Sequence, residues 1–137
     1  MKTKRGFIDY SLDKRATLIG LFRGVVDACD ADPYLMRAAK YHGEKTDRNC
    51  PVCKKDSLVE LRYTFGDQLG QYSGRIKTLD ELLEMEREYG EFRVYLVEVC
   101  RNCNWNHLVH SYLLGDGVYR KPPRRKPTLE DQDFIAG

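Results

Sequence analysis

Two Cys-x-x-Cys pairs, Cys50-Pro51-Val52-Cys53 and Cys100-Arg101-Asn102-Cys103, constrain this chain more than any other feature. A turn of that spacing lets two thiolates converge on one ion from a single backbone loop, and two such turns complete a tetrahedral shell of four sulfurs. The pairs therefore read as the ligands of one Zn2+ ion, held by Cys50, Cys53, Cys100 and Cys103. Two competing readings are thiols that merely pack in a core and an iron–sulfur cluster on the same four residues. Two clean pairs argue against the first, and the colour of the purified protein separates the second from zinc.

The fifth cysteine, Cys29, has no partner nearby in sequence and reads as a bystander at a helix end, with a regulatory thiol as the alternative. His42 precedes the first pair, and His107 and His110 follow the second, on a segment where a histidine reads as a surface or packing residue rather than a ligand. An odd cysteine count in metal-type spacing points to a reducing compartment. The apolar stretch from Leu18 to Val26 is broken by Arg23 and resembles no secretory signal, so a cytoplasmic location is expected. With 32% charged residues and no run of about twenty apolar ones, no membrane association is expected either.

Four cysteine ligands close the coordination shell and leave no position for water or substrate, which argues against hydrolytic zinc chemistry. A nucleophile beside its base, paired acids and a phosphate-cradling loop are all missing at a telling spacing. Gly66-Asp67-Gln68-Leu69-Gly70 lacks the lysine a phosphate loop needs and reads as a turn. The chain is thus expected not to be an enzyme and to have no small-molecule substrate.

The 46 residues from Lys54 to Val99 exceed the usual spacing between ribbon cysteines, and local patterns account for the excess. Val59, Leu61, Tyr63 and Phe65 alternate with polar residues as in a half-buried strand. Thr78 and Glu81 form a capping-box pattern that opens a helix running to Gly90 along Leu79, Leu82, Leu83, Glu86 and Tyr89. Phe92 to Val99 is nearly continuous in apolar residues and reads as the central strand, and Trp105 to Leu114 as a further strand. Before the first pair, apolar steps of three and four at Leu12, Ala16, Ile19, Phe22 and Val26 predict an amphipathic helix from Ser11 to Ala28. A second helix starts at Asp32-Pro33 and stops at Gly43. The expected fold class is α+β: an N-terminal helical hairpin over residues 1–48, a small antiparallel zinc-ribbon sheet over 49–115 with an inserted helix at 78–90, and a mobile basic and acidic tail over 116–137.

The formal charge of +2 falls to about zero once four thiolates surround one divalent ion, so bulk charge favours no partner. Basic clusters do mark both ends: Lys2, Lys4, Arg5, Lys14 and Arg15, and then Arg120, Lys121, Arg124, Arg125 and Lys126. Prolines 122, 123 and 127 keep the second cluster extended and available to phosphates or to an acidic groove, with a plain solvated tail as the bland alternative. Trp105 is placed either to stack a base or anchor a partner, or to cap the ribbon core.

The segments Ile8-Asp9-Tyr10-Ser11-Leu12, Cys29-Asp30-Ala31-Asp32-Pro33-Tyr34, Cys50-Pro51-Val52-Cys53 and Val99 to Leu108 give the chain its most specific wording. Over about residues 6 to 115 it resembles a small actinobacterial family of unknown function with a zinc ribbon. The resemblance implies the same four metal ligands and brings no activity with it. Fold analogy then suggests a non-enzymatic binding module on the transcription machinery, meeting RNA polymerase or nearby nucleic acid through the ribbon surface, Trp105 and the basic residues Arg120, Lys121, Arg124, Arg125 and Lys126. An adaptor in another complex such as the ribosome, and a thiol-based redox switch, are the alternatives.

Overall fold

The computed structural model describes residues 1–24 and 27–118. In chain order the elements are β1 (Arg5–Asp9), α1 (Ser11–Phe22), α2 (Pro33–His42), β2 (Glu44–Asn49), β3 (Ser57–Phe65), a 3-10 segment (Asp67–Tyr72), β4 (Arg75–Ile76), α3 (Leu79–Glu88), β5 (Phe92–Val99) and β6 (Asn106–Leu114). The fold is the expected mixture of helices and antiparallel sheet. The strands lie in the order β1-β6-β5-β3-β2, with β4 paired to β3, so β5 occupies the middle.

Local chemistry fixes the helix starts. Asp32 accepts the Leu35 amide at 2.8 Å and Pro33 occupies the first turn of α2, where it forfeits no hydrogen bond. Both halves of the capping box open α3: Thr78 Oγ1 accepts the Glu81 amide at 3.2 Å, and Glu81 accepts the Thr78 amide at 3.0 Å.

The first helix departs from expectation. It stops at Phe22, because Gly24 takes a left-handed φ of +72° that ends the helical path, and Val26 lies outside the described residues. Its buried side is also a different one. Leu12, Ile19 and Phe22 are 73%, 48% and 66% exposed, while Leu18 and Leu21 pack inward. The inward row is Lys14, Leu18 and Leu21, at steps of four and three, and it begins with a lysine that a reading of hydrophobicity discards. Strands β1, β2 and β4 are not among the expected elements, and the turn read at Gly66 to Gly70 runs into the 3-10 segment.

Contacts divide the chain into two compact units. Of the described residues, one comprises Met1–Phe7, Arg62–Tyr95 and those from Ser111 on; the other comprises Ile8–Leu61 and Leu96–His110. In the first, Leu82, Met85 and Tyr89 lay the stripe of α3 on Phe92, Val94, Tyr112 and Leu114. Leu79 and Leu83, expected in that stripe, are largely exposed. Gly115 sits at φ +98° with its α-carbon so close to Gly90 that a β-carbon would lie 2.2 Å from the Gly90 oxygen, so the turn after β6 needs glycine there. Arg5, read as part of the N-terminal basic cluster, bonds the Thr3 and Gly115 carbonyls and pairs with Glu91 at 2.8 Å. Lys4 lies over the Tyr112 ring at 4.5 Å.

In the second unit β2 pairs antiparallel with β3, Lys45 opposite Val59 and Asn49 opposite Ser57. Its core is a small cluster of Ala28, Cys50, Leu58, Cys100 and Trp105, with Leu18, Leu21 and the remaining cysteines around it. No helix among the described residues is long and apolar enough to cross a membrane.

Candidate metal centre

Each Cys-x-x-Cys pair sits in the loop between neighbouring strands, the first between β2 and β3 and the second between β5 and β6. The two loops fold alike. The amide of Lys54 donates to the Cys50 carbonyl at 3.1 Å, and the amide of Asn104 donates to the Cys100 carbonyl at 3.1 Å. These donors follow the second cysteine of each pair and are the two non-glycine residues with positive φ among the described residues, at +57° and +68°. Each loop closes on its hairpin through the amide of its first cysteine: Cys50 donates to Asp56 O at 2.9 Å, Cys100 to Trp105 O at 2.8 Å. A left-handed residue at this point turns the chain back so that both sulfurs of a pair face the same side.

The four predicted sulfurs converge. All lie within 4.8 Å of one another, a group positioned to hold a metal ion. They pair crosswise between the loops, Cys50 Sγ 3.6 Å from Cys103 Sγ and Cys53 Sγ 3.6 Å from Cys100 Sγ. Cys50 and Cys100 are buried, whereas Cys53 and Cys103 are partly exposed. Asn102 and then the Lys55 amide hold the Cys53 thiol down at about 6, while burial pushes the Cys100 and Cys103 thiols up. Four sulfurs this close, once deprotonated, would place their negative charges on any cation that sat among them.

Trp105 is fully buried, and this corrects its placement as a partner-binding residue. An indole with no exposed face cannot stack a base. It caps the core of the cysteine loops instead, parallel to the His107 ring at 5.7 Å, and donates its N–H to Glu98 Oε2 at 2.9 Å. His107 Nδ1 lies 2.6 Å from the Leu108 carbonyl, and no histidine joins the four sulfurs among the described residues. The basic residues Arg120, Lys121, Arg124, Arg125 and Lys126 lie outside the described residues.

Glu98 is the site residue that sequence reading missed. Fully buried on β5 two positions before Cys100, it receives Trp105, the Lys14 ammonium at 2.9 Å from α1, and Arg48 Nη1 at 3.3 Å from β2. Arg48 also pairs with Glu60 at 2.7 Å. Burial by itself would raise the Glu98 carboxyl, but its three donors outweigh it and hold the pKa below the ordinary carboxylate value. One carboxylate thus ties both strand hairpins and α1 around the cysteine loops. The signal lay in the β5 alternation, where Phe92, Val94, Leu96 and Glu98 share the inward phase and only the last is charged.

Cys29 also lies closer than its sequence position implied. Its sulfur is 3.9 Å from Cys103 Sγ, although it is not one of the four mutually close sulfurs.

The sequence profile of a family of unknown function, DUF5318, matches residues 1–128. Among curated proteins the chain is similar to uncharacterized protein Rv0049 of Mycobacterium tuberculosis, 45% identical over 120 residues that cover 85% of this chain and 88% of the relative. Uncharacterized protein Mb0050 of Mycobacterium bovis is similar to the same extent. No solved structure matches.

Proposed function

We propose, for a chain that belongs to the DUF5318 family of unknown function, the role of a cytoplasmic binding module whose fold is stabilised by one structural Zn2+ ion and which carries out no catalysis. The observation that carries this is the spacing of the four sulfurs. A tetrahedral zinc with bonds of about 2.3 Å sets its sulfurs about 3.8 Å apart, and the crosswise pairs stand at 3.6 Å. A cluster of several irons holds its thiolates further apart than one shared ion does, so a single ion suits these loops better. Four thiolates on that ion leave no corner for substrate, and the ribbon-like pair of hairpins becomes a rigid surface.

The test is elemental analysis of natively purified protein together with thermal unfolding. One zinc per chain is expected, with a large fall in melting temperature on strong chelation and in Cys50→Ser and Cys100→Ser variants. Protein that contains no zinc, or whose melting ignores both the chelator and the substitutions, would end this reading.

For the partner, the proline-spaced basic run from Arg120 to Lys126 supports contact with nucleic acid or with the RNA polymerase bound to it. A second reading, an adaptor within a protein complex such as the ribosome, is favoured by the exposed apolar row Leu12, Ile19 and Phe22 on α1. Phosphate contacts weaken steeply with salt and an apolar contact does not. Capture of polymerase subunits or nucleic acid that is lost between low and moderate salt supports the first; salt-resistant capture through α1 supports the second.

A further inference from the structure

We propose that Cys29 and Cys103 form a reversible disulfide when the protein meets a hydroperoxide, and that this modification opens the metal site. The proposal rests on the zinc reading above for its consequence, but the cysteine pair itself is a feature of the fold.

Cys29 is held beside the second cysteine loop rather than passing it by chance. The Asp27 carboxylate accepts the Cys29 amide at 3.0 Å. The next residues are tied to the loop itself: Asn106 Nδ2 donates to Asp30 Oδ1 at 2.9 Å, and the Ala31 amide donates to Asn104 O at 3.1 Å. These three bonds fix the thiol 3.9 Å from Cys103 Sγ. Both sulfurs belong to partly exposed residues, whereas Cys50 and Cys100 are buried. The adjacent pair therefore unites a ligand that a small oxidant reaches with a thiol that the metal does not share. Closing from 3.9 Å to the roughly 2.05 Å of a disulfide is within the reach of side-chain rotation and a small loop adjustment.

The chemistry balances with the hydroperoxide as sole oxidant. The Cys103 thiolate attacks the outer oxygen of ROOH; the S–O bond forms, the O–O bond breaks, and ROH leaves after taking up a proton, giving a sulfenic acid. The Cys29 sulfur then attacks that sulfur; the S–S bond forms, the S–O bond breaks, and the hydroxyl leaves as water with the Cys29 proton. Two thiols are oxidised and one peroxide is reduced. Cys103 would then no longer serve as a ligand, and Cys50, Cys53 and Cys100 alone would hold an ion far more weakly.

The experiment treats the full-length protein, as purified, with a small molar excess of hydrogen peroxide and follows zinc release with a chromogenic chelator. Free thiols are then alkylated and the disulfides mapped by peptide mass spectrometry. Expected are a crosslinked Cys29–Cys103 peptide, release of about one zinc per chain, and recovery of zinc binding after dithiothreitol. A Cys29→Ser variant is expected to bind zinc like the wild type but to recover several-fold less of it after the same cycle, because its sulfenic acid has lost the one adjacent thiol outside the ligand set; Cys50, 3.6 Å from Cys103 Sγ, is buried and is itself a ligand. The proposal is overturned if Cys29 stays alkylatable in oxidised wild type, if the disulfide joins Cys103 to Cys50 or lies within a Cys-x-x-Cys pair, or if Cys29→Ser recovers fully. A Cys29→Ser protein that binds no zinc also overturns it, by making Cys29 a ligand, while leaving the zinc reading intact. Protein purified without metal defeats the zinc reading alone, since the disulfide map still reports on the pair.

Discussion

The indole N–H of Trp105 meets the Glu98 carboxylate at 2.9 Å with neither side chain reaching solvent. Because Lys14 and Arg48 converge on the same carboxylate, the bond joins the second cysteine loop to α1 and β2. Removing the acceptor strands a buried N–H and takes this carboxylate from Lys14 and from Arg48, of which Arg48 keeps its second partner, Glu60. Glu98→Ala is expected to cost about 3 kcal/mol, and Glu98→Gln, which still accepts from Trp105, about 1–2 kcal/mol. Chemical denaturation of the metal-loaded proteins measures both, and equal stability of wild type and Glu98→Ala would refute the assigned role.

The same carboxylate carries a pH signature. Its pKa is lower in the folded protein than the roughly 4.3 of an unfolded glutamate, so its contribution is complete above that value and disappears as pH falls through the lower folded one. The stability difference between wild type and Glu98→Gln should thus be constant near neutrality and shrink below about pH 4. Acid also protonates the thiolates, but that term is common to both proteins and cancels in the difference. A difference that grew towards low pH would contradict the depressed pKa.

Lys54 holds φ at +57°, a conformation that glycine adopts freely and a β-branched residue resists. Lys54→Gly is expected to leave stability unchanged or raise it by up to about 1 kcal/mol, whereas Lys54→Val should lower it by about 1–2 kcal/mol and weaken zinc retention against a chelator. Metal-competition titrations of the two variants check this ordering.

Thr78→Ala removes the oxygen that caps the Glu81 amide. A loss of about 1 kcal/mol is expected in thermal or denaturant unfolding.

The two sides of α1 should respond oppositely to substitution. Leu12→Gln and Phe22→Gln, at exposed positions, are expected within about 0.5 kcal/mol of wild type. Leu18→Ala and Leu21→Ala, which remove packing against the cysteine cluster, should each cost about 1–2 kcal/mol. Denaturant midpoints of the four variants decide which side the helix buries.

That last contrast shows where sequence reading reaches its limit. The caps at Asp32 and Thr78 were legible because a cap is chemistry between residues three apart. The cysteine loops were legible because a turn of fixed spacing brings its own two sulfurs together. The face of α1 was not: its apolar residues occupy more than one side, and the side that packs carries Lys14, whose partner Glu98 stands 84 residues away. Strand β2 was equally hidden. Its six residues, Glu44 to Asn49, include no apolar side chain, and it is held by backbone pairing with β3, aided by Thr46 Oγ1 on the Leu58 carbonyl at 2.8 Å and by Arg48 on Glu60. Cys29 looked solitary because its neighbour stands 74 residues further along.

The outermost position of β2 bears on how the molecule behaves in a crowd. An outer strand offers a row of unused amide and carbonyl groups, the template on which sheets from separate molecules fuse into aggregates. Here that row is flanked by Glu44, Lys45, Asp47 and Arg48. A greasy strand arriving from another molecule would have to strip water from several of these ions, so the sheet is guarded against growth along this border by the very lack of hydrophobicity that hid the strand.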